Sequence, residues 1–334
     1  MNDLQEMLQL NIDEIEPESV KKLEKKRVLH NILKKKKRFT FRYAIAVSLL
    51  TCGIGSSVVL LSPTIASQIP IVQNIVDYFN GETTQFMYFD DYATVISSMQ
   101  TSNGVTIEIA DAVYDGTTVT IAFAIESEID LGEPPLLGNP IETNGTFEGG
   151  GVTSIKKVTN TTYAGVITLS PELDRRSPRT VNLSWKPGRV WNYETDEKIQ
   201  GDWSFEFKLK KINVDRTHVE YADTKEGFTF KIPNVDISGY TINIPFDMEM
   251  PSKYVLFTLP YSIVFEVTDE FGTEYEMLLN GASGTNKHKA EGSATFSNLQ
   301  NDSKMLIITP KLVHKNEEIL FDSFTVNTPQ NYTK

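Results

Sequence analysis

The chain has 334 residues with 32 Lys/Arg against 44 Asp/Glu, a formal net charge of −12, and a single cysteine. Cys52 alone can form no disulfide within the chain and no Cys-based metal site, so any fold here rests on ordinary cores. Residues 1–42 hold eleven Lys/Arg and seven Asp/Glu, a balance of +4, which leaves −16 for residues 43–334.

The N-terminal segment, 1–42, reads as two short helices. Leu4, Met7, Leu8, Ile12 and Ile15 recur at helical spacing as one apolar stripe, with Glu6, Gln9, Asp13 and Glu16 opposite. Pro17 breaks the pattern and suits the first turn of a second helix, whose apolar positions include Val20, Leu23 and Leu29. The basic run Lys34 to Arg38, with Arg42, then precedes a stretch free of charge as far as Asp77. A bilayer core takes about 20 helical residues, so 43–65 is a transmembrane helix, and the flanking cations keep the N-terminus cytoplasmic. A cleaved signal would need a basic region of about 40 residues, longer than a whole signal of roughly 15–30, which favours a retained anchor. Within the span, Gly53, Gly55, Ser56 and Ser57 weaken a helix and permit close packing, marking either a region open to intramembrane cleavage or plain small residues of an anchor.

Residues 66–85 form a juxtamembrane collar. Ile69, Ile71, Val72, Ile75, Val76, Tyr78 and Phe79 suit either an interfacial helix on the outer leaflet or packing against the next domain. Beyond it the pattern turns to strands. Val105, Ile107 and Ile109 alternate with polar residues, Asp115-Gly116 signals a hairpin, and Val119, Ile121, Phe123 and Ile125 alternate after it. Trp203, Phe205, Phe207 and Leu209 mark a half-buried strand, and Ser262–Val267, Lys304–Pro310 and Ile319–Val326 complete the set. Gly104–Glu126 aligns without gaps on Gly227–Glu249 at a shift of 123 residues, with eight identities including Gly116/Gly239 and Thr118/Thr241. The expected fold is therefore mainly β: two tandem extracellular immunoglobulin-like β-sandwich domains, at 86–212 and 213–334, opening with the same strand–turn–strand unit.

Catalytic constellations are lacking. His30, His218, His288 and His314 are scattered without partners at ligand spacing, and Gly149-Gly150-Gly151 precedes a strand-like segment, so it reads as a flexible loop and not a phosphate cradle. The pairs Asp90-Asp91 and Asp269-Glu270 read as solvated turns before calcium ligands; Trp185, Trp191 and Trp203 could form a ligand platform, but Trp185 and Trp203 sit in alternating strands and read as core. The basic run beside a span answers to orientation and anionic lipid, not to nucleic acid. The chain is expected to be no enzyme, with no cofactor, no metal and no nucleic-acid partner.

Several stretches carry a resemblance: Ser102–Ile107 to Tyr114–Val119 and on to Ser127, Asp130–Pro134, Gly201–Phe205, Leu306–Pro310 and Ile65–Pro70. Together they resemble a Gram-positive family of single-pass membrane proteins identified as negative effectors, or anti-sigma factors, of extracytoplasmic-function sigma factors, whose outer halves are domains of unknown function. The resemblance implies that residues 1–42 hold a sigma factor at the membrane while the outer domains sense envelope conditions. An apolar stripe on a short helix is what groove binding requires, so Leu4, Met7, Leu8, Ile12 and Ile15 come first as sigma-binding residues, and Val20, Leu23 and Leu29 second. Many anti-sigma factors carry a zinc-associated His/Cys motif in the inner domain; here His30 stands alone and no Cys accompanies it, which leaves the binding mode open. The competing expectation is an envelope protein whose β-domains bind wall polymer or a surface partner, with the inner piece only an orienting stem.

Overall fold

Strands dominate the computed structural model, which describes residues 75–80, 85–138, 141–144, 149–171, 177–255, 259–298, 303–315 and 317–329. All belong to one compact unit, Ser62–Lys334. The expected inner helices, the transmembrane helix at 43–65, the sigma-binding stripe and the Gly53–Ser57 region lie outside the described residues. Among the described residues no helix is long and apolar enough to cross a membrane. Two single-turn helices, α1 (Asp77–Asn80) and α2 (Phe89–Tyr92), precede the strands.

The first β-module comprises β1 (Thr94–Ser102), β2 (Val105–Tyr114), β3 (Val119–Ser127), β4 (Leu136–Leu137), β5 (Glu142–Thr143), β6 (Gly149–Lys157), β7 (Thr162–Pro171), β8 (Thr180–Trp185), β9 (Arg189–Trp191), β10 (Lys198–Gln200) and β11 (Phe205–Lys210). A five-stranded sheet of order β1-β2-β3-β7-β6 faces two three-stranded sheets, β11-β8-β5 and β10-β9-β4. Their inward residues form one core, because alternation along each strand aims every second side chain at the facing layer. Trp185 lies edge-on to Phe123 at 5.5 Å, and the buried Trp203 donates its indole N–H to the Val105 carbonyl at 3.0 Å. Gly165 is required beneath Phe123, since a Cβ there would come within 2.1 Å of the ring.

The second β-module comprises β12 (Val214–Lys225), β13 (Phe228–Ser238), β14 (Thr241–Glu249), β15 (Ser262–Asp269), β16 (Met277–Asn286), β17 (Lys289–Ser297), β18 (Met305–His314), β19 (Glu317–Leu320) and β20 (Phe324–Asn327). Here a five-stranded sheet of order β12-β13-β14-β17-β16 faces β15, β18, β19 and β20. Phe230 centres this core, 4.8 Å from Phe321 and 5.7 Å from Phe246.

The two five-stranded sheets have the same strand order, and the internal repeat is written into their hydrogen bonds. Adding 123 to the pairs Thr106↔Glu126, Val113↔Thr120 and Tyr114↔Val119 gives Thr229↔Glu249, Asp236↔Asn243 and Ile237↔Ile242, all of which are paired. Both hairpins also slip by one residue in the same interval, after Ile109 in one and after Lys231 in the other. A shared register with a shared bulge is far more specific than shared hydrophobicity, because a one-residue slip would turn every side chain to the wrong face.

Several details depart from the sequence reading. Gly149-Gly150-Gly151 is no loop but the first part of β6, paired residue by residue with β7. Glycine is tolerated there because the ladder, not a side chain, holds the edge, and a Cβ at Gly151 would sit 3.0 Å from the Thr168 carbonyl oxygen. The segment Ile319–Val326 is two strands, β19 and β20, pairing different stretches of β18.

A candidate functional junction

Within its described part the collar packs against the first β-module, together with the segment that follows it through α2. Ile75, Val76, Phe79, Phe86 and Phe89 are buried, packed on the outer face of the first five-stranded sheet. That face is made of small residues, Ala110, Ala122, Ala124 and Ala164 with Val113 and Val166, which lets a second apolar layer approach closely. The central strands are therefore covered on both sides, and β3 is buried at eight of its nine positions. Phe79 meets Phe86 edge-to-face at 6.1 Å, and Lys156 places its ammonium 5.5 Å above the Phe79 ring.

Beneath this layer the chain buries acid. Glu108 is 7% exposed and its Oε2 has no hydrogen-bond partner among the described residues. Burial, and then the nearby Asp111 carboxylate, hold the Glu108 carboxyl above its ordinary value. Asp111 is raised by burial and by Asp90, and Asp90 by burial and then by Asp77 and Asp91. The collar and α2 thus carry acidic groups onto a strand that is itself acidic.

The second module closes the junction with the repeat's own turns. Asp115 caps the β2–β3 turn, accepting the Thr117 N–H at 2.8 Å and the Thr118 N–H at 2.6 Å. Ser238, 123 residues on, caps the β13–β14 turn by accepting the Thr241 N–H at 2.8 Å. These equivalent turns then meet: the Thr241 hydroxyl donates to the second Asp115 oxygen at 2.5 Å. Burial pushes the Asp115 carboxyl up, opposed by the Thr241 hydroxyl and then by the turn's own donors. Tyr240 donates its hydroxyl to Thr120 at 3.3 Å and sets its ring edge-to-face against Phe89 of α2 at 6.0 Å. Tyr92 lies so close to Gly239 that a Cβ there would fall 1.7 Å from the Tyr92 hydroxyl. One hairpin of the second module thus holds both the first module and the segment leading in from the N-terminal part of the chain.

A polar row continues from this contact across the second module. Arg216, Asp236, Asn243 and Thr295 are successive cross-strand neighbours on β12, β13, β14 and β17. Arg216 grips Asp236 with two hydrogen bonds of 2.7 Å, and that pairing raises the Arg216 guanidinium's pKa. Thr295 donates to Asn243 Oδ1 at 3.1 Å and lies 3.1 Å from the Thr118 hydroxyl of the first module. Asn243 Nδ2 is buried without a partner among the described residues. Such a group costs about 1–3 kcal/mol unless something bonds it.

The other residues singled out in the sequence have structural duties. Trp185 and Trp203 are core, while Trp191 is partly exposed beneath Arg189, 4.7 Å away, so the three make no platform. Asp269 accepts the N–H groups of Phe271 and Thr273 in its own turn, both at 2.9 Å. Glu270 caps the segment at Ser303 to Met305, accepting the Lys304 N–H at 2.7 Å and the Ser303 hydroxyl at 2.7 Å, which lowers its carboxyl to about 2. Among the described residues no group of three or more His, Cys, Asp or Glu is placed to hold a metal ion. Sequence reasoning found the Asp115-Gly116 turn and its repeat at Gly239 but not that the two turns touch. It also missed Tyr92, Tyr240 and Asn243.

Comparisons with known proteins bear on the same regions. A model of a domain of unknown function (DUF4179) matches residues 34–127, from the basic run through the uncharged stretch and collar to the end of β3. A model of a family of unknown function (DUF5643) matches residues 210–328, the second module. The crystal structure of the conserved domain protein from Bacillus anthracis is similar over 78% of this chain and 100% of its own, with 23% identity and a TM-score of 0.68, a likeness of fold. Bovine butyrophilin aligns over 65% of this chain and 93% of its own at 7% identity, but its TM-score of 0.20 carries no argument. No curated protein matches.

Proposed function

We propose that this chain is a single-pass membrane regulator: an anti-sigma factor that holds an extracytoplasmic-function sigma factor through residues 1–42 and senses the envelope through its β-modules, read as immunoglobulin-like sandwiches outside the cell. The charge partition and the uncharged stretch support this topology. The match at 34–127 is consistent with basic run, span, collar and first strands forming one inherited piece. The observation that carries the reading is the clamp on α2, directly after the collar: Phe89 and Tyr92 lie against Tyr240 and Gly239 of the far module. An event at the modules is thereby tied to the segment that leads to the span, as a transducer needs.

The test is co-purification of the sigma factor with the full-length chain extracted from its own membranes. Leu8→Glu combined with Ile12→Glu abolishes co-purification and raises transcription from that sigma factor's promoters. Failure of any sigma factor to co-purify, or indifference to the double change, overturns the reading in favour of an envelope-binding protein without a transcriptional role.

A further inference from the structure

A cleft of about 310 Å³ lies between the modules, at the size where small-ligand pockets begin. Thr117, Ser170 and Ser177 of the first module line one side, and the sheet of the second forms the other. On β14, Ile242, Ile244 and Met248 point to the core, while the alternate residues Asn243, Pro245 and Asp247 line the cleft. Asn243 is 2% exposed, and its unpartnered amide belongs to that wall. Thr295 donates to the amide oxygen, so the amide N–H end is the one left unmatched among the described residues.

The surrounding chemistry narrows what could match it. Arg216 has its charge engaged by Asp236, and Asp247 and Glu291 add two further carboxylates to the described lining. Among the described lining residues, phosphate or acidic polymers would meet net negative charge. An ammonium ligand would answer the carboxylates but offers no acceptor to the amide N–H. Hydroxyl groups satisfy both, since each donates to a carboxylate and accepts from an amide, and the serine and threonine hydroxyls can serve either way. Pro171 and Pro245 supply apolar patches of the kind a sugar ring's C–H face can cover.

We infer that this cleft is a binding site for an uncharged saccharide, with Asn243 as its buried hydrogen-bonding anchor and Asp247 and Glu291 as acceptors for ring hydroxyls. The inference rests on the reading that the modules face the envelope, where glycans are met. It fails separately from that reading, because binding is measured without the sigma factor. The experiment uses the full-length chain in nanodiscs, titrated by calorimetry with tetra-N-acetylchitotetraose and maltotetraose, and in parallel with spermidine and glycerol phosphate. At least one neutral oligosaccharide binds at millimolar concentration or below, and Asn243→Ala weakens it about tenfold or more. Ser293→Phe, which fills the cleft from the surface of the same sheet, abolishes binding while the tryptophan fluorescence of the parent is kept. Binding of spermidine or glycerol phosphate but of neither oligosaccharide overturns the inference. So does the absence of oligosaccharide binding, or binding indifferent to both substitutions.

Discussion

Thr241 donates its hydroxyl proton to Asp115 at 2.5 Å, and each residue sits in the turn that is the other's counterpart at a shift of 123. Both are buried, so the bond counts beyond what an exposed contact would. Asp115→Ala strips the turn donors of Thr117 and Thr118 as well as Thr241, and is expected to destabilise the chain by about 1–3 kcal/mol or more. Thr241→Val should cost about 1 kcal/mol. Urea titration of both single variants and the double variant measures the coupling; strictly additive effects would deny the bond a role in joining the modules.

Gly239 leaves room for the Tyr92 hydroxyl and for nothing larger. Gly239→Ala has to displace that ring, at a cost of about 1–3 kcal/mol, and hydrogen exchange should quicken in residues 86–92. In a Tyr92→Ala background the same change should be close to neutral. An equal penalty in both backgrounds would locate the strain elsewhere.

Glu108 is held above its ordinary carboxylate value, so its contribution has a definite sign. A raised acid favours the folded state fully below the unfolded value of 4.5, and that contribution is lost as pH climbs through the folded value. Glu108→Gln removes the ionisation while keeping the shape. Its melting temperature should match the parent's near pH 4 and exceed it increasingly toward neutrality. Asp90 and Asp111 shift in the same direction, so the collar should hold more firmly as pH falls, with Lys156 the opposing charge over Phe79. A melting difference independent of pH would contradict this.

Glu270 behaves in the opposite sense. Its carboxyl, lowered to about 2 by the Lys304 N–H and then the Ser303 hydroxyl, stabilises the fold above the unfolded value of 4.5. That contribution fades as pH falls toward about 2. Glu270→Gln should therefore lower the melting temperature at neutral pH and lose its effect in acid, as thermal scans across that range would register.

Much of the β architecture was legible because one face of each strand is core. Val105, Ile107 and Ile109 alternate for that reason, and the register repeated at a shift of 123 was visible as matched identities. Strands covered on both faces gave a weaker signal. Ala110, Ala122, Ala124 and Ala164 are small because the collar packs there, yet alanine in a strand suggests nothing by itself. The Asp115–Thr241 and Phe89–Tyr240 contacts lie between segments 126 and 151 residues apart, where periodicity is silent. Asn243 was hidden for a similar reason: a polar residue between two isoleucines reads as the solvent side of a strand, whereas here it is buried under another module.

The two edges of the junction differ in what opening them would expose. Along α2, Phe89 and Tyr240 meet as aromatic rings, and separating them would wet an oily surface. Toward the cleft, where Asn243 lines the wall, Asp115, Thr241, Thr295 and Asn243 meet through hydrogen bonds that water can replace once they are opened. A pull on the modules would part the wet edge first and leave the greasy one shut. The joint is hung like a door, with its pin beside the strand that follows the collar and its swinging side at the cleft.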